Sequence, residues 1–294
     1  MAGNTVLTPS PDPPHRIECL HRNVLSTLGL RIYSASVAFY ANVRKQLDLL
    51  FSLPVFTVSK AYRAGAAECS TGVCPEGLQE RERVACMPVR LDVWTDYSCP
   101  YCFLATLAVE KLKYEYAVDV HWRAFQLRPP GSRPLPKAAR NTAAGEHVQV
   151  AERALSEFGF VLKPGPIGIN TRLAHVATSY AESIGKGDAF HLATENAYWL
   201  EGQSIETPEV IRTLAVTAGL DPDAVTAALQ DLRYSRLVDV DRSEAEHYGM
   251  RGVPDMLFDS KYLLSGAQSY DTLRQTVERL QHKTNSSSAG RSNV

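Results

Sequence analysis

The chain has no run of about twenty apolar residues, the length a helix needs to span a bilayer, so no spanning segment is expected. It has almost no net charge, -1 at pH 7, and no block of like charges. Bulk attraction to nucleic acid or to an anionic membrane is therefore not expected. The first twenty residues, rich in Pro and Asp, lack the apolar stretch of a signal peptide, which points to a cytoplasmic location. The nearest such stretch, Leu47 to Val58, follows Arg44 and Lys45 and precedes Ala64-Gly65-Ala66-Ala67. It would serve as a signal only if translation began far inside the chain. Cysteine is scarce as well: six in 294 residues are too few for a disulfide scaffold, so their grouping matters more than their number. What is present is 45% hydrophobic residues, enough for a substantial core in one large or two small domains.

Two of the six cysteines stand in Cys99-Pro100-Tyr101-Cys102. An alternating run from Val89 to Thr95 precedes them, and a run with helical spacing from Phe103 to Glu115 follows. Cys99 would open that helix, where unpaired N–H groups and the positive end of the dipole favour an anion, which suits it to be the attacking thiolate. Cys102, about one helical turn on, would be the buried resolving partner, able to close a disulfide ring or release a mixed disulfide. Pro100 in the first turn costs no hydrogen bond, and Tyr101 between the cysteines is a lever on their potential. Two plainer readings stay open at this point: half of a zinc site, for which Cys69 and Cys74 are the only second pair, or two merely buried cysteines. No metal is expected.

The regions around the motif differ in character. Residues 1–86, with the Pro-rich stretch Thr8 to Pro14, read as a poorly ordered or weakly helical extension. Cys69 and Cys74 within it form a C-x4-C pair, a candidate auxiliary dithiol. Met87 is the expected natural start. Val118 to Leu127 is expected as a second strand, parallel to the first through a right-handed crossover, with His121 and Trp122 as sheet residues. Six helices are expected: Asn141 to Phe158, Thr171 to Ile184, Ala189 to Glu201, Pro208 to Ala218, Pro222 to Gln230 and Tyr234 to His247. Thr207-Pro208 and Asp221-Pro222 read as starts, and Gly185 and Gly219 as stops. His175 and His191 within them read as structural. Gly252-Val253-Pro254 should lead into a hairpin of Asp255 to Phe258 and Lys261 to Leu264, turning at Asp259-Ser260. A helix from Gln268 to about Gln281 and a disordered tail over 283–294 complete the chain.

Cys-Pro-Tyr-Cys on a strand-to-helix turn, a long helical insertion, and Val-Pro before a late hairpin resemble the thioredoxin-fold superfamily. The chain looks most like the DsbA family of thiol-disulfide oxidoreductases, in its FrnE-like branch. Asp96-Tyr97-Ser98-Cys99-Pro100-Tyr101-Cys102, Asn170-Thr171 with Ala174-His175, Glu201-Gly202, Gly252-Val253-Pro254 and Ser265-Gly266-Ala267-Gln268 carry this resemblance. The fold class expected is α/β, a thioredoxin-like fold from 87–128 and 249–282 with an all-helical insertion over 129–248. The resemblance implies a cis Pro254 beside the active disulfide, with the Val253 backbone binding an extended substrate. Asp255 departs from the apolar or small residue expected there, and its charge would weaken the Cys99 thiolate. Thiol- or disulfide-containing proteins are the implied partners, and no cofactor is required. The alternative is a glutathione-dependent isomerase or transferase related to 2-hydroxychromene-2-carboxylate isomerase and the kappa-class glutathione transferases, with glutathione as co-substrate. Those relatives carry serine where Cys99 stands, so the paired cysteines favour dithiol exchange.

Overall fold

The structure, a computed structural model, describes residues 88–289, with side chains through residue 282. The N-terminal extension, Met87 and the candidate dithiol Cys69–Cys74 lie outside the described residues. The described elements run β1 (Val89–Thr95), α1 (Pro100–Glu115), β2 (Val118–Ala124), α2 (Lys137–Phe158), α3 (Arg172–Ser183), α4 (Gly187–Trp199), α5 (Pro208–Thr217), α6 (Pro222–Gln230), α7 (Leu232–His247), β3 (Asp255–Phe258), β4 (Tyr262–Ser265) and α8 (Tyr270–Ala289). None of these helices is long and apolar enough to cross a membrane.

The four strands form one mixed sheet in the order β2-β1-β3-β4. β1 pairs parallel with β2, Val89 opposite Val118 through Thr95 opposite Ala124, and antiparallel with β3. β1 is thus central, and all but Arg90 of its residues are buried, the near-continuous burial of a strand covered on both faces. Leu91 and Val93 meet α1 and α8 through Ala105, Ala108, Val109, Leu112, Leu273, Val277 and Leu280. Trp94 faces the other way, packing with Phe125, Met250, Leu257 and Ala245 of α7, and its indole N–H donates to the Asp241 carbonyl at 2.8 Å.

α1 is enclosed on two sides, which is why eleven of its sixteen residues are buried. One face joins the sheet core, and the other sends Phe103, Leu104 and Leu107 into the core of the helical insertion with Phe190, Tyr198, Trp199, Ile211 and Leu214. The insertion is continuous with the sheet: α3, α4 and α7 all pack against β2.

Most expected boundaries shift by a residue or two, and three differences have a local cause. β2 ends at Ala124, not Leu127, because its partner β1 ends opposite it at Thr95, and beyond that point the Leu127 N–H donates to Asp96 Oδ2 at 2.7 Å. α2 begins at Lys137, four residues early, as the Lys-Ala-Ala-Arg run of good helix formers starts directly after Pro136. The tail expected to be disordered from 283 is helical through Ala289. Upstream, α8 is anchored by Leu273, Val277 and Leu280, and a Ser or Asn costs an extending helix only a few tenths of a kcal/mol, roughly 0.5. The hairpin turns where expected, with Asp259 and Ser260 at φ 47° and 55°.

Candidate active site

Asp96 builds the turn between β1 and α1. It is 1% exposed, and its Oδ1 accepts from the Ser98 N–H and hydroxyl, each at 2.8 Å. Its Oδ2 accepts from Leu127 N–H at 2.7 Å and the Thr171 hydroxyl at 3.3 Å, and the Cys99 N–H donates to its carbonyl at 2.9 Å. One side chain therefore ties the segment after β2 and the start of α3 to the turn before α1.

Cys99 is the N-cap of α1, with extended φ -90° and ψ 116°, and Pro100 occupies the first turn. The Cys99 carbonyl accepts from Cys102 N–H at 3.1 Å and Phe103 N–H at 3.3 Å, so the second cysteine follows by one turn. Both are buried free thiols, Cys99 at 4% exposure and Cys102 at 1%. Burial pushes the Cys102 thiol well above its usual pKa, and the adjoining Cys99 sulfur adds to this. Tyr101 is half-buried against the insertion core.

The loop before β3 brings the third part of the site. The Val253–Pro254 peptide bond is cis, Pro254 is buried, and the Cys99 Sγ lies 3.6 Å from the Val253 carbonyl oxygen as a weak S–H donor. The structure thus brings Cys99, Pro100, Tyr101, Cys102, Val253 and Pro254 to one place. Asp255 directly follows the cis proline and is 4% exposed; burial raises its carboxyl, and hydrogen bonds from the Ser265 side chain and the Gly266 N–H oppose this. Among the described residues no cluster of three or more His, Cys, Asp or Glu offers a metal site.

Behind the motif lies a buried polar cluster that the sequence reading missed. The Tyr97 hydroxyl bonds Thr178 and lies 3.3 Å from His191 Nδ1, while the Trp199 indole donates to the Tyr97 carbonyl at 3.1 Å. His191 Nε2 meets the Thr106 hydroxyl at 3.0 Å and Glu195 Oε1 at 3.6 Å. Burial holds both histidines neutral: His175 falls to about 4, and His191 falls well below its usual value, helped by the charge of Lys113. His175 and His191 are structural in the sense expected, yet they surround Tyr97 next to the motif. Glu195 was not singled out. Its signal was available as a carboxylate set between the apolar pairs Leu192-Ala193 and Ala197-Tyr198 of a largely buried helix.

Residues 90–278 match a family model described as the DSBA-like thioredoxin domain. The uncharacterised Bacillus subtilis protein YwbO is 27% identical over 206 residues, covering 67% of this chain and all of that one. Among solved structures, a probable DsbA oxidoreductase from Streptomyces coelicolor is 26% identical with a TM-score of 0.56, covering 65% of this chain and 89% of that one. The structure of 2-hydroxychromene-2-carboxylate isomerase superposes with a TM-score of 0.57 at 20% identity, over 66% of this chain and 97% of that one. That likeness shows the fold alone.

Proposed function

Because the chain belongs to the DSBA-like thioredoxin domain family, we propose that Cys99 and Cys102 form a redox pair that exchanges disulfides with thiol-containing proteins. The observation that carries this reading is the placement of the Cys99 sulfur. It caps α1 and lies 3.6 Å from the Val253 carbonyl beside Pro254, with Cys102 one turn behind.

In the oxidising direction a substrate thiolate attacks the Cys99 sulfur of the Cys99–Cys102 disulfide. The S–S bond breaks, a mixed disulfide forms at Cys99, and the electron pair leaves on Cys102, which takes a proton. A second substrate thiolate then attacks the substrate sulfur and expels Cys99, so the substrate loses two electrons and the enzyme gains them. Burial that disfavours the Cys102 thiolate makes Cys102 the thiol of the reduced pair. The Val253 carbonyl, which takes the Cys99 S–H, is free to accept from an extended substrate backbone once that sulfur is in a mixed disulfide.

The isomerase-like fold keeps the glutathione-dependent alternative as a contrast, but the reaction class proposed here rests on two cysteines in one turn. Cys99→Ser is expected to abolish both insulin reduction and dithiol-peptide oxidation, while Cys102→Ser should accumulate mixed disulfides at Cys99. Wild-type rates in Cys99→Ser would refute the assignment. Glutathione-dependent turnover of a small aromatic substrate that survives Cys102→Ser would establish the alternative instead.

A further inference from the structure

The inward side of α7 is set by Val238, Asp241 and Ala245, which are buried. A helix turns about 100° per residue, so Val240 stands on the opposite side, in the middle of the outward face, and it is 56% exposed. Leu237 and Leu232 share that face, exposed at 43% and 66%, and Tyr248 closes it just past the last turn. Single exposed apolar residues are ordinary on a protein surface, but several on one helix face mark a surface for contact. The charges on this face follow a pattern. Arg233 is held by Asp231 at 2.7 Å, and at the rim Asp239 is taken by Arg172 and Glu246 by Arg242. Arg236 and Glu244 make no ion pair among the described residues, and Glu244 acts on Arg90, Arg123 and Asp241 only as a charge at a distance. They stand four residues before and four after Val240, about 6 Å along the axis to either side.

We propose that this face of α7 is the surface on which two copies of the chain associate, antiparallel about a two-fold axis at Val240. Symmetry then makes residues equally far before and after Val240 face each other. Val240 meets Val240, Leu232 meets Tyr248, and Arg236 of each copy meets Glu244 of the other, the long side chains covering the sideways offset between them. Arg233 comes opposite His247 and keeps Asp231 as its partner. Parallel packing of the same face would set Arg236 on Arg236 and Glu244 on Glu244, which like-charge repulsion disfavours. A partner of unrelated sequence requires no such balance of charge about Val240, and that balance is what singles out a second copy. The contact is one helix wide and about 24 Å long, roughly 1,000 Å² in all, at the small end of specific interfaces. A dimer in the micromolar range is therefore expected. The face ends at Tyr248, whose ring meets Trp94 edge-on with centroids 6.1 Å apart, and Trp94 shares a core cluster with Met250 and Val253. The second copy thus comes to lie beside the loop that brings Val253 to Cys99.

The test is sedimentation equilibrium of the full chain across the micromolar range, under reducing conditions so that no intermolecular disulfide contributes. Wild-type protein should show a reversible monomer–dimer equilibrium. Arg236→Glu makes both facing pairs carboxylate on carboxylate, and Glu244→Arg makes both guanidinium on guanidinium, so each variant alone should dimerise more weakly by about tenfold or more. Mixed in equal amounts, the two variants restore opposite charges at both pairs, and a heterodimer about as tight as the wild-type dimer should form. This gain comes from the same two proteins that fail alone, so misfolding cannot imitate it. Val240→Asp, which sets two carboxylates on the axis, should weaken the dimer by about tenfold or more as well, with the far-ultraviolet circular dichroism of the wild type. Three results would each overturn the proposal: a wild-type chain that stays monomeric throughout, a dimer whose affinity none of these changes moves, or a mixture no tighter than its components. The second of these would place the association elsewhere on the chain, and a monomer that binds a different protein through α7 would give the first. The exchange reading stands apart from all three, since it is judged by the behaviour of Cys99 and Cys102 alone.

Discussion

Removing the Asp96 carboxylate should cost more than any single surface change and should act on the Cys99 turn before the rest of the fold. Four donors converge on it: Ser98 N–H, Ser98 hydroxyl, Leu127 N–H and Thr171 hydroxyl. Hydrogen bonds to an ionised acceptor are worth about 1.5–3 kcal/mol each. The Ser98 and Leu127 groups lie near the surface and regain water in Asp96→Ala, whereas Thr171 is buried and does not. Two bonds' worth of net loss is the reasonable sum, about 3–6 kcal/mol. Asp96→Asn keeps one acceptor oxygen but turns an amide donor toward the second pair of donors, for a loss of about 1–3 kcal/mol. Urea unfolding of the full chain measures this as a fall in midpoint at constant m. Asp239→Ala is the control, since its ion pair with Arg172 is largely exposed on the Asp239 side and such pairs contribute about 0–1 kcal/mol. An Asp96→Ala loss no larger than that of Asp239→Ala would refute the view that this carboxylate organises the turn.

Other expectations follow from the same contacts. In the reduced protein Cys102 should alkylate far more slowly than Cys99 at neutral pH, because burial raises its thiol; peptide mapping of an iodoacetamide time course checks this, and equal rates would contradict it. Burial lifts the Asp241 carboxyl to about 6, against the pull of Ala124 N–H and Arg123. A pKa raised by folding gives stability that is complete below the unfolded value of about 3.9 and lost as pH rises through the folded value, about 2–3 kcal/mol in all. Asp241→Asn should flatten that decline between about pH 4 and 6, and an unchanged pH profile of the urea midpoint would show that the group does not titrate there. Gly165→Ala would place a Cβ 2.5 Å from the Gln203 carbonyl oxygen and 2.7 Å from the Tyr198 ring, so it should lose about 1–3 kcal/mol or more. Gly252→Ala meets nothing within 4 Å and should leave the thermal midpoint within a degree or two of wild type, which differential scanning calorimetry resolves.

What the sequence made legible were features written in local chemistry. Thr207 and Asp221 cap α5 and α6 through their side chains, accepting from Val210 N–H and Asp223 N–H. Gly185 and Gly219 take the positive φ that ends a helix, and each of these signals lies within a few residues of its effect. The two cysteines were legible for the same reason, since strand, turn and helix sit in one continuous segment. The joining of Val253–Pro254 to Cys99 spans 154 residues and entered only through resemblance to a family. The polar cluster was harder still. Tyr97, Thr106, Thr178, His191 and Glu195 come from four parts of the chain, and nothing local to any of them says that they meet. Asp96 was quoted for its place in the motif, yet its role as the tie between β2 and α3 depends on Leu127 and Thr171 arriving from elsewhere. The length of α8 was misread because its Ser- and Asn-rich end was judged by composition, while the anchoring of its first turns decides how far the helix runs.

The central claim is that Cys99 and Cys102 act as one redox unit. Its most direct test is the oxidation state of each cysteine across a series of glutathione buffers, followed by alkylation and peptide mapping of the full chain. The account predicts that both thiols disappear together in a single two-electron transition, with a Cys99–Cys102 disulfide as the product. Stable glutathionylation of Cys99 with Cys102 still free across the whole series would contradict it.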